Sequence, residues 1–192
     1  MKAIMISIKP QYVEKILNCK KTIEIRKTKP SCQLPCKVYI YCTMPNKQEN
    51  RKPHSWEVVW LKRVVAEFTL NKVEKIKFDC PCSFSSFNIG FGFTENRYNI
   101  DVTKTCLTES QLFDYLGEPF EIRGEYHQTF EFSGYAWHID GLKIYDKPKE
   151  LGEFSTILHR MKGKESRSTS NLLQRPFQSW GYVKELEELE DE

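Results

Sequence analysis

A hydroxyl, a carboxylate and a guanidinium stand on alternate residues, Thr22, Glu24 and Arg26, in the stretch CKKTIEIRK at 19–27. In an extended chain successive side chains point to opposite faces, so these three share one side, and Lys21, Ile23 and Ile25 take the other. The isoleucines and the threonine favour a strand, with Ile23 and Ile25 facing a core. Such a polar stripe suits two roles. Lys21 and Arg26 can bind a phosphate or a base edge, with Glu24 accepting from an exocyclic amine. Alternatively, a Glu24–Arg26 pair, with Lys21 reaching over from the strand entrance, locks the structure. Thr22 and Ser179 offer hydroxyls, but no nucleophile elbow or triad partner accompanies either.

Other residues have chemistry to offer. LQRPFQSW brings Arg175, Gln178 and Trp180 together, where they can line the same cleft. Phe84, Phe87, Phe91 and Phe93, with Arg97 and Tyr98, read either as a base-stacking platform or as a lid over the core. Trp137 and His138 fall on opposite faces of a late strand, and the histidine reads as a core or rim residue. His54 and His127 lie in loop-like stretches. The seven cysteines include Cys32-x3-Cys36 and Cys80-x-Cys82, with Cys19, Cys42 and Cys106 scattered. Neither spacing is the paired C-x2-C of a zinc site, so reduced thiols and no bound metal or cofactor are expected.

The elements that must hold these residues are legible as apolar runs between turns. KAIMISI reads as a first strand stopped by Pro10. PQYVEKILNC reads as a short amphipathic helix with proline at its start. KTIEIR and KVYIYCT are strands separated by the proline-punctuated KPSCQLPC. The run from Trp56 to Phe78 holds at least two strand-like segments, VVAEFTL among them. In TESQLFDYLG, Thr108 and Gln111 fit a capping box, and Gly117 ends the helix. GYAWHIDGLKIYD predicts a hairpin turning at Asp140-Gly141. KGKESRSTS reads as a flexible loop, and NLLQRPFQSWGYV as a segment that docks back before an acidic tail. Strands outnumber helices and do not alternate with them. The expectation is an α+β fold, a small mixed or closed β-barrel with a few short helices.

At 192 residues, one domain is the prior. The division predicted is a domain over 1–160, a flexible loop over 161–171 and a docking segment with acidic tail over 172–192. No run approaches the ~20 apolar residues of a membrane span, and AIMISI reads as a buried strand rather than a signal peptide. A cytoplasmic protein that does not engage membranes is the expectation. The net charge of +3 conceals an asymmetry. Residues 1–65 hold fourteen Lys and Arg against four Glu and no Asp, a net +10, and the rest of the chain is −7. A basic half suits a polyanion partner, and solvated lysines account for the same excess.

The order of these features resembles the ASCH domain, a branch of the PUA-like superfamily whose signature is G-x-K-x-x-E-x-R after a short helix. Lys21, Glu24 and Arg26 match that signature, and Cys19 stands where it has glycine. ISIKPQYVEKIL, VYIYCT, VVAEFTL and GYAWHIDGLKIYD extend the resemblance over most of residues 1–151. It implies a PUA-like barrel and an RNA- or nucleotide-like ligand in a cleft beside Lys21, Glu24 and Arg26, with Lys9, Arg175 and Trp180 as further contacts. Some members of the family are enzymes. One branch hydrolyses acetylated cytidine with a lysine and a threonine nucleophile on this segment, and another cuts RNA. Lys21 matches that lysine, but Glu24 occupies the threonine position, with Thr22 two residues earlier on the same face. Three readings therefore stand: a binding protein, a hydrolase using Lys21, Thr22 and Glu24, and a non-catalytic protein-interaction adaptor.

Overall fold

The computed structural model describes residues 1–45, 54–55, 58–77, 98–121, 128–132, 134–157 and 172–186. Their strands are β1 (Lys2–Ile8), β2 (Ile23–Arg26), β3 (Cys36–Cys42), β4 (Arg63–Lys75), β5 (Gly117–Glu121), β6 (Gln128–Phe132), β7 (Tyr135–Glu150) and β8 (Trp180–Lys184). Helix α1 spans Pro10–Leu17 and α2 Glu109–Leu116, with short 3-10 turns at Val102–Thr105 and Leu151–Glu153. Six strands form a sheet in the order β2-β7-β4-β3-β1-β8, and β5 pairs with β6. The sheet is mixed, because β1 runs parallel to β3 and antiparallel to β8. This is the small α+β architecture expected from the sequence, with KAIMISI, KTIEIR, KVYIYCT, VVAEFTL and YAWHID all contributing strands.

The chain groups into two compact units. The first comprises Met1–Cys19, Cys32–Asn71 and Ile139–Glu192. Its β1 is apolar on consecutive residues because both of its faces are covered, as parallel pairing demands. Ala3 and Met5 pack in a cluster with Tyr39, Tyr41, Val64, Phe154, Leu173 and Val183, and Ile4, Ile6 and Ile8 are buried too. Helix α1 begins at Pro10, whose missing N–H costs nothing there, and buries Val13 and Ile16. The backbone N–H of Ser7 donates to Ser179 O at 2.8 Å, and its hydroxyl donates to Phe177 O at 2.6 Å. These bonds tie the segment before β8 to β1.

The second unit comprises Lys20–Ser31 and Lys72–His138. Its core is Ile23, Ile25, Ile76, Tyr98, Ile100, Val102, Leu112, Leu116 and Ala136. Helix α2 carries the expected capping box: Gln111 N–H donates to Thr108 Oγ1 at 3.1 Å, and Thr108 N–H to Gln111 Oε1 at 3.0 Å. The helix stops at Leu116, and Gly117 opens β5. Tyr98 is a core residue, and burial pushes its hydroxyl pKa up to about 12. Phe84, Phe87, Phe91, Phe93 and Arg97, His127, Cys80 and Cys82, and the 162–170 loop lie outside the described residues.

Two expectations about strands change. Residues 58–62 are a turn, with Lys62 at φ +62°, so one strand of thirteen residues, β4, replaces the two runs read there. Asp140-Gly141 does not turn a hairpin, because β7 continues straight through it. A type I′ turn needs positive φ at both central residues, and only Gly141, at +53°, has it. Asp140 is held instead by Asn71 Nδ2, which donates to its Oδ2 at 2.6 Å, while its Oδ1 accepts from Gly141 N–H at 2.9 Å. Glycine absorbs the irregularity inside the strand.

Candidate functional site

The polar stripe of CKKTIEIRK is buried. Lys21 is 2% exposed, and Glu24 and Arg26 are each 8% exposed. All four residues of β2 are covered, so the side opposite Ile23 and Ile25 is not a solvated face. Strand β2 lies at one end of the sheet order and pairs antiparallel with β7, placing Glu24 opposite the fully buried Trp137 and Arg26 opposite Tyr135.

Within this cover Glu24 bridges two cations. Lys21 Nζ lies 3.1 Å from Glu24 Oε2, and an Arg26 terminal nitrogen lies 3.0 Å from Glu24 Oε1. Lys21 Nζ also donates to Ile23 O at 2.9 Å and Thr105 O at 2.7 Å. Lys21 precedes the strand. Its long stem brings the ammonium round to the carboxylate. One carboxylate and two carbonyls match the three protons of an ammonium.

Thr105 supplies what the sequence reading missed. It arrives on the 3-10 turn Val102–Thr105, which Asp101 caps by accepting Thr103 N–H at 3.1 Å. The turn is fastened to the motif at two further points. Thr22 N–H donates to Lys104 O at 3.0 Å, and the Cys106 thiol donates to Lys20 O at 3.4 Å. Asp-x-Thr at 101–103 is the local signal for such a turn, but nothing local announces that its last carbonyl meets Lys21.

Cys19, at the glycine position of the motif, has φ +55°. The left-handed region costs an L-residue about 1–2 kcal/mol, and glycine escapes this while losing some entropy on folding. Cys19→Gly is therefore expected to stabilise the protein by about 0.5–1 kcal/mol. Denaturant melts check this, with Cys19→Ala expected to show no such gain because alanine keeps the strain.

The remaining candidates fall elsewhere. Lys9, Arg175 and Trp180 belong to the first unit, and Lys21, Thr22, Glu24 and Arg26 to the second. Lys9 and Arg175 are exposed, and Trp180 is half-buried with its ring edge-on to Tyr182 at 5.5 Å. Thr22 is half-buried, and His54 is exposed. His138 Nε2 meets Glu74 Oε2 at 2.5 Å, and Lys72 binds the other oxygen at 2.8 Å. The hydrogen bond from Lys72, supplemented by His138, holds the Glu74 carboxyl below its usual range. Among the described residues no group of three or more His, Cys, Asp or Glu is placed to hold a metal ion. No helix among them is long and apolar enough to cross a membrane.

No family model matches the sequence, and no curated protein matches it. Solved structures do. ASCH from Zymomonas mobilis aligns at 18% identity and a TM-score of 0.38, covering 76% of this chain and 69% of that one. This chain is similar to ASCH. A tyrosine-to-phenylalanine variant of the same Zymomonas mobilis protein aligns at the same identity and TM-score over 77% of this chain and 73% of its own. A serine-to-alanine variant covers 76% and 70%.

Proposed function

We propose that this ASCH-like protein binds RNA or a nucleotide-like ligand in a cleft beside Lys21, Glu24 and Arg26. One observation carries the reading: Lys21 and Arg26 share the single carboxylate of Glu24 in a stretch of six residues. Two cations on one carboxylate favour an anionic or acceptor-rich ligand, and low exposure strengthens that preference by limiting solvent screening. The roles then divide. Lys21, anchored to two backbone carbonyls, positions the carboxylate. Arg26 offers planar donors to a phosphate or a base edge, and Glu24 discriminates by accepting. The basic charge of the first 65 residues is in keeping with such a ligand.

The test is binding of single-stranded RNA across a series of salt concentrations. Affinity is expected to fall with salt at a slope of about −0.7 per phosphate neutralised. Arg26→Ala is expected to weaken binding and to reduce the slope by about 0.7. Glu24→Gln is expected to alter base preference while leaving the slope nearly unchanged. If the variants bind like the parent once folded fraction is corrected for, the network is a structural lock and the reading fails.

A second reading draws on the 3.1 Å contact between Lys21 and Glu24. A carboxylate held against an ammonium can relay a proton to a leaving group, as a hydrolase of a modified nucleoside or of RNA requires. Thr22 is the adjacent hydroxyl on this segment. Release of acetate from acetylated cytidine, or RNA cleavage, lost in a folded Glu24→Gln variant would favour catalysis over binding alone.

A further inference from the structure

Cys32 and Cys36 stand apart from the β2 network, and no role described above uses them. Cys36 is the first residue of β3 and is buried, 8% exposed. Cys32 is half-buried in the preceding segment. Their sulfurs lie 3.1 Å apart, in direct contact, although both are free thiols. A spacing of four residues does not bring two side chains together in an extended chain, so the path of SCQLPC creates this contact.

We propose that Cys32 and Cys36 form a dithiol site that takes up small-molecule disulfides and closes to an intramolecular disulfide. Cys32, the more accessible of the two, attacks as its thiolate, its proton passing to solvent. It bonds to one sulfur of the incoming disulfide and expels the other half as a thiolate, which takes up a proton. The Cys36 sulfur, already in contact, then loses its proton and attacks Cys32 Sγ. The second thiolate leaves and is protonated. Two protein thiols are oxidised and one small disulfide is reduced to two thiols.

The surroundings of Cys36 leave the first attack to Cys32. Burial is the largest cause raising its thiol to about 12, followed by the hydrogen bond and the charge of Cys32, while Lys2 acts in the opposite direction. Once Cys32 is capped by the first half of the incoming disulfide, the two causes due to Cys32 fall away, leaving burial, which raises, and Lys2, which lowers. The resulting bond ties the segment that follows β2 to the start of β3.

The test uses glutathione disulfide as the probe, followed by alkylation of remaining thiols and tryptic digestion. Cleavage after Lys27 and Lys37 releases Thr28–Lys37, which contains Cys32 and Cys36 and no other cysteine. The expected result is a peptide lighter by two hydrogens, with neither alkyl label nor glutathione, while the exposed Cys19 carries an adduct. Cys36→Ser is expected to trap glutathione on Cys32, and Cys32→Ser to leave Cys36 without adduct under the same exposure. Both variants replace sulfur by the similar hydroxyl, and melting curves establish that they fold. A parent peptide that stays doubly alkylated while Cys19 reacts overturns the proposal. So does a parent peptide that retains glutathione, or a Cys36→Ser protein that fails to trap it.

Discussion

Lys21→Ala is expected to lower the melting temperature by about 6–20 °C, the counterpart of about 3–5 kcal/mol for removing one partner of a buried ion pair in a chain of this size. The substitution deletes the cation on Glu24 Oε2 and the donor to two carbonyls, Ile23 O and Thr105 O. The carboxylate stays, 8% exposed, with Arg26 as its remaining cation in the network. Lys21→Met keeps most of the volume and is expected to be nearly as harmful, because the lost charge dominates the lost packing. Adding Glu24→Gln to Lys21→Met should deepen the loss, since the buried Arg26 then loses the carboxylate it shares. Thermal melts of the two singles and the double form a cycle, with an expected coupling of about 0.5–3 kcal/mol. A Lys21→Ala protein that melts within about 2 °C of the parent, a loss of at most about 1 kcal/mol, would show that the network does not hold the structure.

Phe154→Ala is expected to cost about 3–5 kcal/mol, the range for emptying a buried aromatic site. Phe154 is fully buried, and its ring meets Tyr39 edge-on at a centroid distance of 4.9 Å. Such a pair adds about 0.5–1.5 kcal/mol beyond the area it covers. The position also organises the backbone. Phe154 O accepts from Leu173 N–H at 2.7 Å, and Ser155 bridges to Leu172. Loss of the ring therefore loosens the anchoring of the segment that leads into β8. Phe154→Leu fills much of the space and is expected to cost clearly less, about 1.5 kcal/mol or below. Urea midpoints of both variants, with near-ultraviolet circular dichroism to report on the tyrosine environment, check the ranking. Equal losses for alanine and leucine would mean that cavity volume does not set the cost.

The two substitutions act on residues that the sequence treats very differently. Lys21 belongs to a recognisable pattern of residue types and spacing, so its importance is legible in the chain itself. Phe154 belongs to none. It is one of twelve phenylalanines, and nothing in GEFST distinguishes it from those at 84–93. What marks it is the chain around it: Tyr39, 115 residues earlier in the sequence, supplies the ring against which it packs.

Local order was determined by the sequence. Pro10 starts α1, Thr108 and Gln111 cap α2, and apolar runs mark β1, β3, β4 and β7, because these signals act within a few residues and need no distant partner. Lys21, Glu24 and Arg26 were likewise singled out by spacing and by their match to the ASCH motif, and positive φ at Cys19 agrees with the glycine of that motif. Tertiary structure decided the rest. Alternation separates the two sides of β2 but does not say that both are covered, because burial depends on which strand pairs alongside and which turn folds over. The ammonium of Lys21 finds Thr105 O across 84 residues of sequence. Asp140-Gly141 carries a strong turn signal that is overridden where Asn71 binds Asp140, and contact between Cys32 and Cys36 depends on the course of the chain between them. Apart from that thiol contact, these outcomes rest on groups that meet only when distant segments are brought together, and a charge or a turn residue carries no local record of the partner it will meet.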